Sequence, residues 1–206
     1  MPSLVGSEMC IRDSSEAVLW GDFEMKWLLR GIFLIFLIFA AVIMAGFFMS
    51  PLQSIERSIE IEAYPEDVFP FINNLQAYSQ WSPLYAQIVD AQIVYGGADA
   101  GNGQTMAWQG SEGAYPFGSQ EIIQSQPGEF VQLKINLAGR AATATHAILP
   151  LDGDRGVTVL TKSEIELGGF PYLDRVRSKL RQGWFDNQFD QSLIRLKTVS
   201  ENYAGG

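Results

Sequence analysis

His146 is the only histidine in the sequence, and its side chain is the one whose usual pKa lies close to neutral pH. It lies in the stretch ATATHAIL, where strand alternation places it on one face with Ala142, Ala144 and Ile148. If that face lines a cavity, His146 is a proton donor or acceptor for a bound molecule. The alternative interpretation is an ordinary strand histidine that is exposed or hydrogen-bonded.

Glutamates on predicted strands are the other candidates for acid–base chemistry, because a buried carboxyl group can acquire a pKa suited to proton transfer. Glu164 and Glu166 lie two residues apart, on the face opposite Ile165 and Leu167, so we expect them to face solvent. Glu121 lies in the stretch GSQEIIQSQ. We retain it with His146 as a catalytic candidate.

Metal, nucleotide and nucleophile sites have no support in the sequence. A zinc site needs several nitrogen or sulfur ligands, and the chain has one histidine and one cysteine, Cys10. Ser111 in QGSEGA does not form a G-x-S-x-G elbow, and the glycine-rich residues 96–103 lack the strand–turn–helix pattern of a dinucleotide site. The net charge of −9 argues against a nucleic acid partner, because phosphate binding needs a basic surface. We predict neither a metal nor a cofactor.

Large aromatic side chains are numerous for a single domain. Core packing explains most of them, but pockets for small molecules are lined mainly by apolar and aromatic groups. We therefore predict that some of these rings contact a hydrophobic ligand. The candidates are Trp81, Tyr85, Trp108, Tyr115, Phe117, Trp184, Phe185 and Phe189.

Residues 1–24 are predicted to be a non-native leader. Codons for residues 4–13, LVGSEMCIRD, correspond to an adapter that is ligated to DNA fragments in transposase-based sequencing. Cys10 is therefore excluded from the candidate sites. Residues 15–24 are interpreted as translated upstream sequence with Met25 as the expected start, and a genuine N-terminal extension is the alternative.

Residues 25–50 are predicted to form a transmembrane signal anchor. The run from Gly31 to Met49 has no charged residue, and roughly 20 apolar residues suffice to span a membrane. A cleaved signal peptide is the alternative, but its apolar region is usually about 7–15 residues long. Lys26 and Arg30 precede the span, so the positive-inside rule predicts a cytoplasmic N-terminus. The following domain is then expected on the periplasmic side of a bacterial inner membrane.

Residues 55–202 are predicted to form one α+β domain. SIERSIEIEA alternates apolar and charged residues like a half-buried strand, and residues 64–75 have helical spacing. Short strands with short turns follow, which favours antiparallel pairing. From Phe170 to about Asn202, an apolar stripe that includes Leu180 predicts one long helix. A curved antiparallel sheet wrapped around that helix would bury the stripe.

Two further features belong to this predicted helix. Arg175, Arg177, Lys179 and Arg181 crowd its start. Such a run usually forms a solvated face, and contact with anionic lipid head groups is the alternative. Gly183 interrupts the helix at a cost of about 1 kcal/mol relative to alanine. We hypothesise that this glycine permits close approach to the sheet or to a ligand.

The order of elements and several strings resemble the START-like (SRPBCC) superfamily, in particular its bacterial polyketide cyclase/dehydrase-like branch. RSIEIEAYPEDVFPFINNLQAYSQWSPL is similar to that group's opening strand, P-E-x-V-F helix and W-S-P turn. MAWQGSEGAYPFGSQEIIQSQPGEFVQLKI resembles its middle hairpins, and ATATHAILPLDGDRGVTV its Ala-Thr strand and acidic turn. WFDNQFDQSLIRLK resembles the end of its long helix, and the similarity covers about residues 55–200.

The resemblance implies a helix-grip fold with a cavity between the sheet and the C-terminal helix, where family members hold hydrophobic small molecules such as lipids or polyketides. Our first hypothesis is a membrane-anchored domain that binds a hydrophobic small molecule or lipid. The second is a cyclase or dehydratase that uses His146 or Glu121, and the third is an interaction domain whose cavity is filled by its own side chains. A cavity containing His146 would favour the enzyme, a cavity without titratable groups the binding domain, and no cavity the interaction domain.

Overall fold

The computed structural model describes residues 15–113, 115–151, 156–170 and 172–205. Residues 1–14 of the predicted leader lie outside the described residues, as does the acidic turn at 152–155. The chain forms two compact units, the first ending at Ala45 and the second beginning at Gly46.

The first unit is built around helix α1, which runs from Ser15 to Phe48. Its part from Met25 to Phe48 is long and apolar enough to cross a membrane, by length and composition. A signal sequence near an N-terminus would meet the same criterion.

The second unit contains an antiparallel sheet of seven strands among the described residues, in the order β1-β9-β8-β7-β6-β4-β3. The first strand of the domain pairs with the last one, and β2 pairs with β5 in a separate two-stranded ribbon. The strands are β1 (Leu52–Ile61), β2 (Ile88–Val89), β3 (Gln92–Gly97), β4 (Gln104–Gln109), β5 (Glu112–Gly113), β6 (Phe117–Gln126), β7 (Phe130–Leu137), β8 (Arg140–Pro150) and β9 (Val157–Glu166).

Strand β8 shows how the period of two creates the inner face of the sheet. Ala142, Ala144, His146 and Ile148 are buried, while the threonines between them are only partly covered. Successive side chains of a strand point to opposite faces, so this set lies on the concave side. The sequence prediction for the face of His146 is therefore confirmed.

Helix α2, from Pro65 to Ile72, and two short 3₁₀ helices close one end of this face. Pro65 occupies the first turn, where a missing N–H costs nothing, and Val68 and Ile72 are buried. After the first 3₁₀ helix, Trp81 is 2% exposed and its Nε1–H donates a hydrogen bond to the carbonyl oxygen of Phe71 at 2.9 Å. This bond joins α2 to the segment that follows it.

Helix α3, from Leu173 to Ala204, lies across the sheet. Arg57 of β1 binds the carboxylates of Asp186 and Asp190 at 2.9 Å and 3.3 Å, and Lys197 donates to the carbonyl oxygen of Glu60. These contacts fix α3 to β1.

The apolar stripe of α3 is buried in its C-terminal half, where Leu193 and Leu196 enter the core. The prediction that the sheet buries the whole stripe is wrong for Leu180, which is 83% exposed. Leu180 does not line the cavity, so its side chain lies on a face of α3 that points away from the sheet. A Cβ atom at Gly183 would meet nothing within 4 Å, so close approach to the sheet does not explain this glycine.

Candidate functional site

A cavity of about 550 Å³ lies between the concave face of the sheet and α3. Its floor comes from alternate residues of β1, β6, β7, β8 and β9, and its roof from residues that recur every three or four positions along α3. Strand and helix periods direct these two sets of side chains toward each other. This volume falls in the usual range for small-molecule pockets. The third hypothesis required a cavity filled by the protein's own side chains, and this cavity is open.

The buried end of the cavity is built around His146, which is 4% exposed. Its Nδ1 shares a hydrogen bond of 3.0 Å with the hydroxyl group of Thr161 on the neighbouring strand β9. The rings of Trp81 and Tyr78 pack edge-on against the imidazole, with centroid distances of 5.2 Å and 5.8 Å. The imidazole is thus held by one polar contact and two aromatic walls.

Burial among these groups lowers the pKa of His146 from 6.5 to about 4. Desolvation disfavours the charged form of a base, and none of the described residues presents a carboxylate to the ring. The side chain is therefore a neutral imidazole at pH 7. A neutral imidazole offers one N–H donor and one acceptor, and it suits hydrogen bonding to an uncharged ligand atom.

Tyr78 adds a second polar group to this end. Its hydroxyl group is buried and has no hydrogen-bond partner in the described part of the chain. Burial, followed by the influence of Tyr85, raises the pKa of Tyr78 well above its usual value, so the group stays protonated. Buried hydroxyl groups in proteins are normally paired, so this unpaired group is unusual, and its burial leaves the rest of the Tyr78 side chain to line the cavity.

Five of the eight aromatic residues proposed as ligand contacts line the cavity. Helix α3 contributes three of them, because positions four residues apart lie on one helix face. Trp184 is 48% exposed and stacks edge-on against the neighbouring ring of α3 at 5.0 Å. The five are Trp81, Tyr115, Trp184, Phe185 and Phe189.

The other three aromatic candidates lie elsewhere. Tyr85 and Trp108 pack in or against the core, where the hydroxyl of Tyr85 donates to the carbonyl oxygen of Leu75 and the indole of Trp108 to that of Tyr115. Phe117 is 53% exposed at the start of β6. None of the three lines the cavity.

Glu121 also lies away from the cavity. It is exposed, because it belongs to the outward-facing set of β6. Its neighbour Gln120 points inward, is 2% exposed and lines the cavity. The expectation that Glu121 acts in the cavity is therefore wrong, since adjacent residues of a strand face opposite sides.

Carboxylates are scarce at this site. Asp174 is the one acidic residue among the described lining residues, and it is paired with Arg140. Within the described ranges, no group of three or more histidine, cysteine, aspartate and glutamate residues could hold a metal ion.

The seven-stranded antiparallel sheet, the long C-terminal helix across it and the cavity between them define a helix-grip domain. Residues 53–201 match the family model described as "Polyketide cyclase / dehydrase and lipid transport". The chain belongs to this family, as its resemblance to the START-like superfamily had indicated. A comparison with curated proteins finds no match.

Solved structures share the fold at low sequence identity. Truncated norcoclaurine synthase from Thalictrum flavum has a TM-score of 0.50 and 12% identity, over 73% of this chain and 92% of that one. A solution NMR structure from Staphylococcus epidermidis has a TM-score of 0.51 and 14% identity, over 72% and 90%. At these identities the likeness concerns the fold alone.

Proposed function

We propose that this protein binds a hydrophobic small molecule or lipid in the cavity between the sheet and α3. The observation that carries the proposal is the cavity itself, about 550 Å³ in volume, whose lining combines aromatic and aliphatic side chains with polar groups along its length. Apolar surface removed from water by a ligand supplies the binding free energy, and His146 offers a hydrogen bond that orients it.

We further propose that Met25–Phe48 anchors the domain to a bacterial inner membrane, with the N-terminus in the cytoplasm and the domain in the periplasm. The apolar length of this segment and the position of Lys26 and Arg30 before it support the assignment. An anchored binding domain would exchange its ligand at the membrane surface.

A cavity-filling substitution tests ligand binding. Ala144 lies on the cavity floor in the middle of β8. In Ala144→Phe we expect binding of the neutral fluorophore N-phenyl-1-naphthylamine to weaken by about tenfold or more, because a close-packed interior cannot hold both the added ring and the probe. Binding is measured by fluorescence on the full chain in phosphatidylcholine nanodiscs, after subtraction of the signal from empty nanodiscs.

Thr145→Phe is the matched control, because the same ring is then added on the outer face of the same strand. It should bind the probe like the parent protein, and circular dichroism should give both variants the parent spectrum. Absence of probe binding to the folded parent protein would contradict the proposal, as would equal binding by Ala144→Phe and the parent protein.

A topology reporter tests the anchor. Alkaline phosphatase, which is active only in an oxidising compartment, is fused after Asn202 and expressed in bacteria. We expect phosphatase activity in the membrane fraction, because the positive-inside rule places the domain outside the cytoplasm. Activity confined to a cytoplasmic reporter fused at the same point would contradict this orientation.

The enzyme hypothesis retains one supporting observation, the position of His146 in the cavity wall. Against it stand the pKa of about 4, which makes His146 a weak base, and the position of Glu121 outside the cavity. General acid–base catalysis works best with a pKa near the operating pH. We therefore assign His146 a role in hydrogen bonding rather than in proton transfer.

A further inference from the structure

Charged side chains along the cavity are confined to one of its ends. Among the described lining residues, the ionised groups are Arg140, Asp174, Arg177 and Arg181. Arg140 begins β8, and the other three belong to the first turns of α3. Arg140 donates to the carboxylate of Asp174. In the described part of the chain, neither Arg177 nor Arg181 has an ion-pair partner.

This charged end lies far from His146. His146 lies six positions after Arg140 in β8, which corresponds to roughly 20 Å in an extended strand. Helix α3 also runs from the charged end toward the buried end. Roughly 22 Å of this helix separate Arg177 from the buried Ser192. The side chains between the two ends include aromatic and aliphatic groups together with neutral polar ones such as Gln120, Ser163 and Gln188. The cavity is therefore elongated and amphipathic, with its positive charge at the exposed end.

The sign of this charge is opposite to that of the whole protein. The chain carries a net charge of −9, whereas three arginines and one aspartate line the exposed end of the cavity. Two of these arginines lie near Tyr115, another lining residue. Burial raises the pKa of Tyr115, and the positive charges of Arg140 and Arg181 oppose that rise, so both lie near this ring.

We propose that the bound molecule is an amphipathic anion, whose carboxylate or phosphate head group is held by Arg177 and Arg181 and whose apolar body extends toward Trp81. This inference rests on the proposed binding function and specifies its ligand class. A guanidinium group presents N–H donors in a planar fork that matches both head groups. A neutral hydrophobic molecule would leave these two arginines unused.

The test compares two competitors that differ only in the head group, palmitate and 1-hexadecanol. Each competes with N-phenyl-1-naphthylamine for the full chain in phosphatidylcholine nanodiscs. We expect palmitate to displace the probe at about tenfold lower concentration, the lower end of what a charge-assisted hydrogen bond provides. A second set of nanodiscs containing phosphatidylglycerol shows whether an anionic membrane lipid displaces the probe without added palmitate.

The variant R177Q/R181Q should lose the preference for palmitate and keep its affinity for hexadecanol. K134Q/K179Q is the charge-matched control, because Lys134 and Lys179 are exposed and do not line the cavity. This control should keep the preference. Circular dichroism confirms that each variant is folded, and the single variants R177Q and R181Q, each with a partial loss, provide a milder test.

Three results would overturn the inference. One is equal displacement by palmitate and hexadecanol in the parent protein, and another is an unchanged preference in folded R177Q/R181Q. The third is an R177Q/R181Q variant that no longer responds to phosphatidylglycerol in the nanodiscs but retains the palmitate preference, because the arginines would then contact the membrane surface. Each differs from failure of the proposed function, in which the parent protein does not bind the probe at all.

Discussion

Replacement of Trp81 by alanine is expected to lower the free energy of unfolding by about 3–5 kcal/mol, the usual cost of removing a buried aromatic side chain. Trp81 is 2% exposed and packs against the rings of Tyr78 and His146, with centroids 4.8 Å and 5.2 Å away. The substitution would also leave the carbonyl oxygen of Phe71 without its indole donor. Urea unfolding of the full chain in nanodiscs, followed by circular dichroism, measures the change.

Trp184→Ala is the matched control, because it removes the same side chain from the same cavity at a position that is 48% exposed. We expect it to change the free energy of unfolding by less than about 1 kcal/mol, since surface positions contribute little to stability. Probe binding should weaken, because Trp184 offers its ring to the ligand rather than to the core. An equal loss of stability in the two variants would contradict the distinction between core wall and ligand contact.

Much of the fold could be predicted because local sequence patterns agree with the final structure. The alternation in β1 and β8 and the helical spacing of α2 each fix which residues turn inward, and the spacing of α3 does so in its C-terminal half. The pairing of β1 with β9 could not be obtained in this way, because it joins segments about a hundred residues apart and depends on global packing. The resemblance to a known family supplied the helix-grip fold, but this strand pairing was not predicted from the sequence.

The error at Glu121 has a specific physical origin in strand β6. Ile122 and Ile123 are adjacent, so alternation of apolar residues does not decide which face of the strand is buried. In the structure Ile122 is fully buried and Ile123 is 40% exposed, and the register shifts between Ile122 and Gln124. Because Ile122 is the buried residue of the two, the side chain of Gln120 faces the cavity and that of Glu121 faces away from it. This single ambiguity decides whether a neutral amide or a carboxylate lies at the site.

Several residues that line the cavity were not predicted to be site residues. Nothing in their local sequence distinguishes them from solvated residues. Tyr78 lies in a short turn, and Arg177 and Arg181 belong to a basic run that resembles an exposed helix face. Their role depends on what lies opposite them in space. The inner face of β8 is the exception, because strand alternation placed His146 on one face with Ala142 and Ala144, and all three line the cavity.

His146 provides a second large effect, which depends on pH. Its pKa is about 4 in the folded protein and near 6.5 in the unfolded chain, so between these values the unfolded chain binds a proton that the folded protein excludes. The stabilising contribution is therefore fully present above about pH 6.5 and is lost as the pH falls toward 4. The pKa difference corresponds to about 3 kcal/mol.

Urea unfolding of the full chain and of His146→Gln, measured between about pH 4 and 7.5, isolates this effect from the titration of the many carboxyl groups. We expect the parent protein to lose about 3 kcal/mol more than the variant over this range, because glutamine does not take up a proton. Thr161→Ala is the control, since it removes the hydrogen bond to Nδ1 but leaves the buried imidazole in place. It should retain the pH dependence of the parent protein.

Because His146 is the only histidine in the sequence, a histidine-labelled sample should give one imidazole signal in its NMR spectrum. We expect this signal to stay at the chemical shift of the neutral form from pH 7.5 down to about pH 5, since desolvation keeps the proton off the ring. A titration midpoint near 6.5 would contradict burial as the controlling influence. It would also return His146 to the pH range where it can exchange protons with a ligand, and the enzyme hypothesis would then be favoured over the binding domain.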